Sequence, residues 1–156
     1  MNPILRILER TDGSVTTIIE ALTGERVEIR TIEQRIVSAD SDSAVVLGIP
    51  VGEKINYRVV EIVSAGKIFA RAKSITPLSR LDESFREDLL KADIPIGKII
   101  KKHRLEVRRE ILWSRLEICR DLGKCLVRNY NIIHKGRVLI NITEMFPVEV
   151  YEQFRW

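Results

Sequence analysis

The chain predicts an α+β protein: an antiparallel sheet with helices packed on it, the two enclosing a ligand cavity. Two observations give the sheet. The segments Ser64-Ala65-Gly66-Lys67 and His134-Lys135-Gly136-Arg137 are tight-turn sequences, each set between runs rich in Val, Ile and Thr, and such turns close antiparallel hairpins. Helical patterns come first and then once as an insertion. They do not alternate with strands, which excludes a parallel βαβ layout. The cavity is suggested by a third observation, an acid on the apolar face of the last strand.

The elements follow in order. A short helix is expected over Ile4 to Arg10. Asp12-Gly13-Ser14 then breaks the chain, and Ser14 caps a helix running to Leu22, with Gly24 as its stop. Val27 to Ser38 reads as a strand, and Asp40 to Gly52, with its Asp, Ser, Gly and Pro, as a loop. Ile55 to Ser64 and Ile68 to Ile75 form the first hairpin, ended by Pro77. Asp82 to Lys91 is an amphipathic helix carrying Phe85, Leu89 and Leu90. A helical turn over Lys98 to Lys101 follows Pro95 and Gly97. Arg104 to Ile118, Lys124 to Ile133 and Val138 to Phe146 complete the strands.

At 156 residues, 45% hydrophobic and 31% charged, one globular domain spanning residues 1–156 is expected, large enough for a core and a small cavity. No apolar run approaches a membrane span or a signal sequence, so a cytoplasmic location with no membrane partner is the expectation. The net charge of +4 raises nucleic acid as a partner, but acids are interspersed with bases almost everywhere. The basic cluster Lys98-Ile99-Ile100-Lys101-Lys102-His103-Arg104 is explained equally by a solvated helix face or an anion-binding rim. Neither His103 nor His134 belongs to a set of residues at metal-ligand spacing, and no metal or cofactor is expected. Cys119 and Cys125 flank a turn and could pair across it. Two glutamines against many Glu, Lys, Arg and Ile is a bias shared with thermophiles, in which an intracellular disulfide is more plausible. Trp113 and Trp156 read as packing residues.

The candidate site starts from alternation. In Val138-Leu139-Ile140-Asn141-Ile142-Thr143-Glu144-Met145-Phe146 every second residue shares a face, which places Glu144 among Val138, Ile140, Ile142 and Phe146. A buried carboxylate needs a cation or a polar cavity. Arg58, on one face with Val60 and Ile62, is a candidate partner. A solvated strand end remains open for Glu144.

Several motifs then fall in one order: Asp12-Gly13-Ser14-Val15-Thr16, Tyr57-Arg58, Gly66, Ser74, Pro77, Leu81, Pro95-Ile96-Gly97-Lys98, Arg108 and Thr143-Glu144-Met145-Phe146-Pro147. Jointly they resemble the chorismate pyruvate-lyase family, especially its archaeal and actinobacterial branch. The same fold serves as the effector-binding domain of GntR-type regulators. The resemblance implies a cofactor-free lyase that converts chorismate to 4-hydroxybenzoate and pyruvate, acting on a small anionic substrate. It implies Arg58 as the carboxylate-binding arginine, Glu144 at the ring hydroxyl, Ile96 against the ring through its backbone, Arg108 as a second arginine, and Val15 in the cavity wall. The stretch Met145-Phe146-Pro147 is one residue tighter than in the bacterial lyases.

Chorismate carries two carboxylates and a ring hydroxyl, and a guanidinium fork suits each carboxylate. Gly97 at a helix start would let backbone amides approach an anion. One ambiguity stays open. Spacing to the family's motif favours Arg108, whereas alternation puts Arg109 with Leu105, Val107, Ile111 and Trp113, and a bulge would reconcile the two. The alternative function is a non-catalytic module that binds an aromatic acid. A regulator's module would usually follow a winged helix, for which the residues before the first strand are too few.

Overall fold

The computed structural model describes residues 1–91 and 94–154. The helices are α1 (Pro3–Arg10), α2 (Val15–Thr23), α3 (Ser41–Leu47), α4 (Glu83–Leu90), α5 (Ile96–Lys102) and α6 (Val148–Glu152). The strands are β1 (Glu28–Ser38), β2 (Lys54–Ser64), β3 (Lys67–Pro77), β4 (Arg108–Cys119), β5 (Gly123–His134) and β6 (Arg137–Pro147). They form one antiparallel sheet in the order β1-β2-β3-β6-β5-β4. Two three-stranded meanders are thus joined where β3 meets β6, and β1 and β4 are left as edges. Among the described residues no helix is long and apolar enough to cross a membrane.

Local sequence explains the joints. The β2–β3 and β5–β6 hairpins close through Ala65-Gly66 and Lys135-Gly136, with φ of 50° and 74° in the first and 51° and 73° in the second. Two successive positive φ values match the twist of the flanking strands. The hydroxyl of Ser14 accepts from the Thr17 amide at 3.2 Å to start α2, and Gly24 ends it in the left-handed region. Asp40 to Gly52 is not wholly a loop. Asp40 caps α3 by accepting from the Ser43 amide at 2.8 Å, a bond that holds the Asp40 carboxyl below its usual range, and Gly48 closes that helix. The polar residues that suggested a loop are the two caps of a seven-residue helix.

One face of the sheet, here the cavity face, carries two packed clusters. In the first, α1, α2 and α6 cover Ile29, Ile62, Phe69, Ala70, Leu126 and Phe146. Its Tyr151 donates to the Phe69 carbonyl at 2.6 Å. In the second, Phe85 and Leu89 of α4 and Ile99 and Ile100 of α5 pack on Tyr130, Ile132, Ile140 and Ile142. The opposite face is covered at one end by α3, over Ile55, Ile75 and Val138. At the other end Cys119 and Cys125 are buried free thiols beside Val127 and Met145. Burial, with Cys119 alongside, pushes the Cys125 thiol up to about 12. Trp113 is half-exposed with the Arg115 guanidinium 4.3 Å from its ring, so it does not pack in the core. Trp156 lies outside the described residues.

His103 is not a solvated residue. Its Nε2 lies 2.6 Å from Oδ2 of the buried Asp88, which Lys102 approaches at 2.9 Å, and Phe85 flanks the ring at 5.4 Å. This clasp fastens α5 to α4. The Lys102 and His103 hydrogen bonds hold the Asp88 carboxyl down at about 2. A carboxylate depressed in the folded state stabilises above its unfolded value, near 3.8. That contribution is lost as pH falls through the folded value. Urea unfolding of the wild type should therefore weaken between pH 4 and pH 2 by more than that of Asp88→Asn. The variant should already be the less stable protein at pH 6.

Candidate active site

The cavity lies between the two clusters because the sheet there is lined by small side chains. On β3, Ala72 and Ser74 stand opposite Val60 and Arg58 of β2, and opposite Glu144 and Ile142 of β6. Larger residues on β2, β6 and β5 therefore rise as walls around a trough. Its roof is the start of α2 (Gly13 to Thr16) and the start of α5 (Pro95 to Gly97), and the space including its open mouth is about 660 Å³.

Glu144 is 4% exposed and opens onto this trough. Its cation is Arg128 and not Arg58. Arg128 sits directly across from it on β5, and its Nε donates to Glu144 Oε1 at 2.7 Å. The same guanidinium donates through Nη1 to the Thr11 carbonyl at 2.7 Å and lies 4.8 Å from the Tyr130 ring. With no exposed surface, Arg128 is among the most deeply buried side chains. The second carboxylate oxygen faces the Tyr130 hydroxyl at 3.3 Å. Burial, and then the Glu144 charge, push the Tyr130 phenol up. It is thus held as an O–H donor at neutral pH. A buried ion pair of this kind is strongly destabilised when one member is removed.

Arg58 is 2% exposed and lines the cavity across the trough from this pair, donating through Nη2 to the Ile94 carbonyl at 2.8 Å. Val15, Ile96 and Gly97 also line it. Gly97 has no positive φ, and a Cβ built there would meet Arg109 Nη2 at 4.0 Å, an ordinary contact. The open space beside it is cavity. Arg108 is not in the cavity. Its side chain is 67% exposed on the opposite face, paired with Glu110 at 3.0 Å. Arg109 takes the inward position, lining the cavity and donating to the Asp12 carbonyl at 3.0 Å. A bulge does exist in β4, between Ile111 and Trp113. Lying past the two arginines, it cannot turn Arg108 inward, and it moves Trp113 to the other face.

The sequence thus points to Val15, Arg58, Ile96, Gly97 and Glu144, which the cavity brings together, and leaves Arg109 open against Arg108, but gives neither Arg128 nor Tyr130. The signal for Arg128 was the one used for Arg58, a guanidinium sharing a strand face with Leu126, Tyr130 and Ile132. It was hidden because β5 is buried on both faces, so its apolar residues do not alternate.

Residues 10–155 match the model of the family described as chorismate pyruvate-lyase Rv2949c-like. The chain belongs to that family. A provisionally named lyase of Methanocaldococcus jannaschii, MJ0807, is 39% identical over 157 residues, covering 92% of this chain and 77% of that protein. The chorismate pyruvate-lyase of Mycobacterium leprae is 26% identical over 159 residues, covering 95% of this chain and 76% of the other. Among solved structures, PhnF of Mycobacterium smegmatis superposes with a TM-score of 0.75 at 14% identity over 89% of this chain, which spans 65% of PhnF. The effector domain of PhnF alone gives a TM-score of 0.69 at 16% identity, covering 88% of this chain and 90% of that domain. The fold is thus the one shared by chorismate lyases and these effector domains.

Removing one partner of the buried pair tests its role. Arg128→Met leaves Glu144 buried without its cation and should cost about 3–5 kcal/mol of stability. Arg128→Met with Glu144→Met together should recover most of that loss. Urea midpoints at pH 7 of the two variants and the wild type measure the difference.

Proposed function

We propose that the chain is a chorismate pyruvate-lyase, eliminating the enolpyruvyl group of chorismate to give 4-hydroxybenzoate and pyruvate. The observation that carries this reading is a carboxylate held at one oxygen by Arg128 and at the other by Tyr130, lining a cavity walled by Arg58 and Arg109. The cationic side chains lie on opposite sides of the trough, one on β2 and one on β4. They suit a ligand with two separate carboxylates. Apolar Val60, Ile142, Ile132 and Val15 between them suit a ring.

In this reading Arg58 and Arg109 each hold a carboxylate. Glu144 Oε2 accepts the ring hydroxyl and stands beside the carbon that bears it. Loss of the proton from that carbon to Glu144 and cleavage of the neighbouring ether C–O bond together aromatise the ring. The departing enolpyruvate takes up a proton at its methylene carbon and becomes pyruvate, so one proton is lost and one gained. Tyr130 donates to Glu144 Oε2 and keeps the carboxylate aimed at the ring. Aromatisation supplies the driving force, and the chain's contribution is orientation with one acid/base group.

A second reading has its own support in the superposition on PhnF effector domains. It is a module that binds an aromatic acid without turning it over. Incubation with chorismate, with pyruvate and 4-hydroxybenzoate measured separately, decides between them. The lyase reading expects equal amounts of both products. Glu144→Gln should lower kcat by about a hundredfold or more. Arg109→Ala should raise KM where Arg108→Ala leaves it unchanged. Absence of turnover by folded protein at moderate and elevated temperature would overturn the lyase in favour of the module, for which calorimetry with small aromatic acids is the assay.

A further inference from the structure

Strand β4 is a sheet edge with no further strand beside it among the described residues. Ile111, Leu112, Trp113, Leu116 and Ile118 along it are 36% to 79% exposed. A long edge with free backbone N–H and C=O groups and exposed apolar side chains is a template for another strand. The other edge, β1, exposes Ile32 and Ile36, with polar residues at most other positions.

The bulge in β4 arranges its charges. Arg108 and Glu110 before it, and Trp113, Arg115 and Glu117 after it, all lie on the face away from the cavity, while Arg109, Ile111, Ser114 and Leu116 lie on the cavity face. With regular alternation through Leu112 in place of the bulge, the two charged pairs would be on opposite faces. Within the chain Arg108 binds Glu110 at 3.0 Å and Arg115 binds Glu117 at 2.6 Å.

We propose that two copies of this chain pair antiparallel through β4, about a two-fold axis between Leu112 and Trp113. In this register Arg108 faces the partner's Glu117 and Glu110 faces the partner's Arg115. With the pairs already made along each strand, these four charges form a closed square in which every neighbour is opposite in sign. The axis repeats the square. A slip of two residues in one direction sets Arg108 against the partner's Arg115, and in the other sets Glu110 against the partner's Glu117. Like charges directly opposite disfavour both slips. On the cavity face, Ile111 meets the partner's Ser114 and Leu116 covers the stem of the partner's Arg109. β1 also alternates charges, so charge alone does not choose the edge. The exposed apolar residues choose β4. The contact is isologous and closes as a dimer.

Sedimentation velocity of the full chain, from low to high micromolar, tests this. The wild type should pass from monomer to dimer. Arg115→Glu combined with Glu117→Arg keeps the net charge and the pair within the strand but sets like charges across the axis. It should weaken the dimer by at least about tenfold. Adding Arg108→Glu and Glu110→Arg inverts both sides and should restore it. All these residues are on the exposed edge, and circular dichroism checks that each variant is folded. The equivalent inversion on β1, Glu33→Arg with Arg35→Glu, should leave the dimer unchanged. A wild type that stays monomeric, a dimer indifferent to the β4 double inversion, a quadruple variant that fails to recover, or a dimer lost on the β1 change would each overturn the proposal.

Discussion

A carboxylate that opens into a cavity from the interior of a sheet requires a cation held where it cannot leave. Most of the candidate site follows from that requirement. Here the cation is Arg128, and the antiparallel register of β5 and β6 sets it directly opposite Glu144. The pair is made across a ladder that backbone hydrogen bonds already fix, so little further ordering is needed to bring the charges together. A one-residue slip of β5 against β6 would turn Arg128 to the other face and strand Glu144 among apolar side chains. The pair therefore selects the register as much as the register makes the pair.

The roof depends on the same class of contact. Arg128 donates to the Thr11 carbonyl, Arg109 to Asp12 and Arg58 to Ile94. All three acceptors are backbone carbonyls in the connections that cover the cavity. Three guanidiniums rooted in the sheet thus tie down the α1–α2 and α4–α5 connections, and two of the three line the cavity. An anion bound by Arg58 or Arg109 would share each with the roof, so ligand binding and roof position are coupled through the same donors. The clasp of Asp88 with Lys102 and His103 holds α5, whose start is part of the roof, to α4.

Most of the fold was legible because its signals are local. Ser14 and Gly24 bound α2 as their capping preferences require, and Gly66 and Gly136 fix the hairpins. α3 was not legible because a seven-residue helix is mostly caps, and caps read as loop. At the site, Glu144 and Arg58 could be found from a charge on an apolar face. Which cation binds Glu144 is a matter of strand order. Nothing in the sequence says that β6 pairs with β3 on one side and β5 on the other, so the strand that carries the partner of Glu144 could not be picked out. The Arg108 and Arg109 ambiguity is different in kind. Simple alternation gave the inward residue, and similarity to a motif gave the outward one.

What separates an enzyme from a receptor on this fold is then a matter of a few side chains. The trough itself comes from small residues on β3, and a guanidinium facing it is enough to hold a carboxylate. Such a trough binds anions whether or not chemistry follows. A fixed carboxylate in the same trough adds little to the binding of an anion and, by repulsion, works against it. Its retention, with a buried arginine across the ladder to hold it and a tyrosine hydroxyl to aim it, is costly for a protein that only needs to recognise an acid. That cost is understandable where a proton must be taken from the ligand at a defined carbon, because only a positioned base serves that step. This is the physical ground for preferring the lyase over the receptor in a chain whose fold alone is compatible with both.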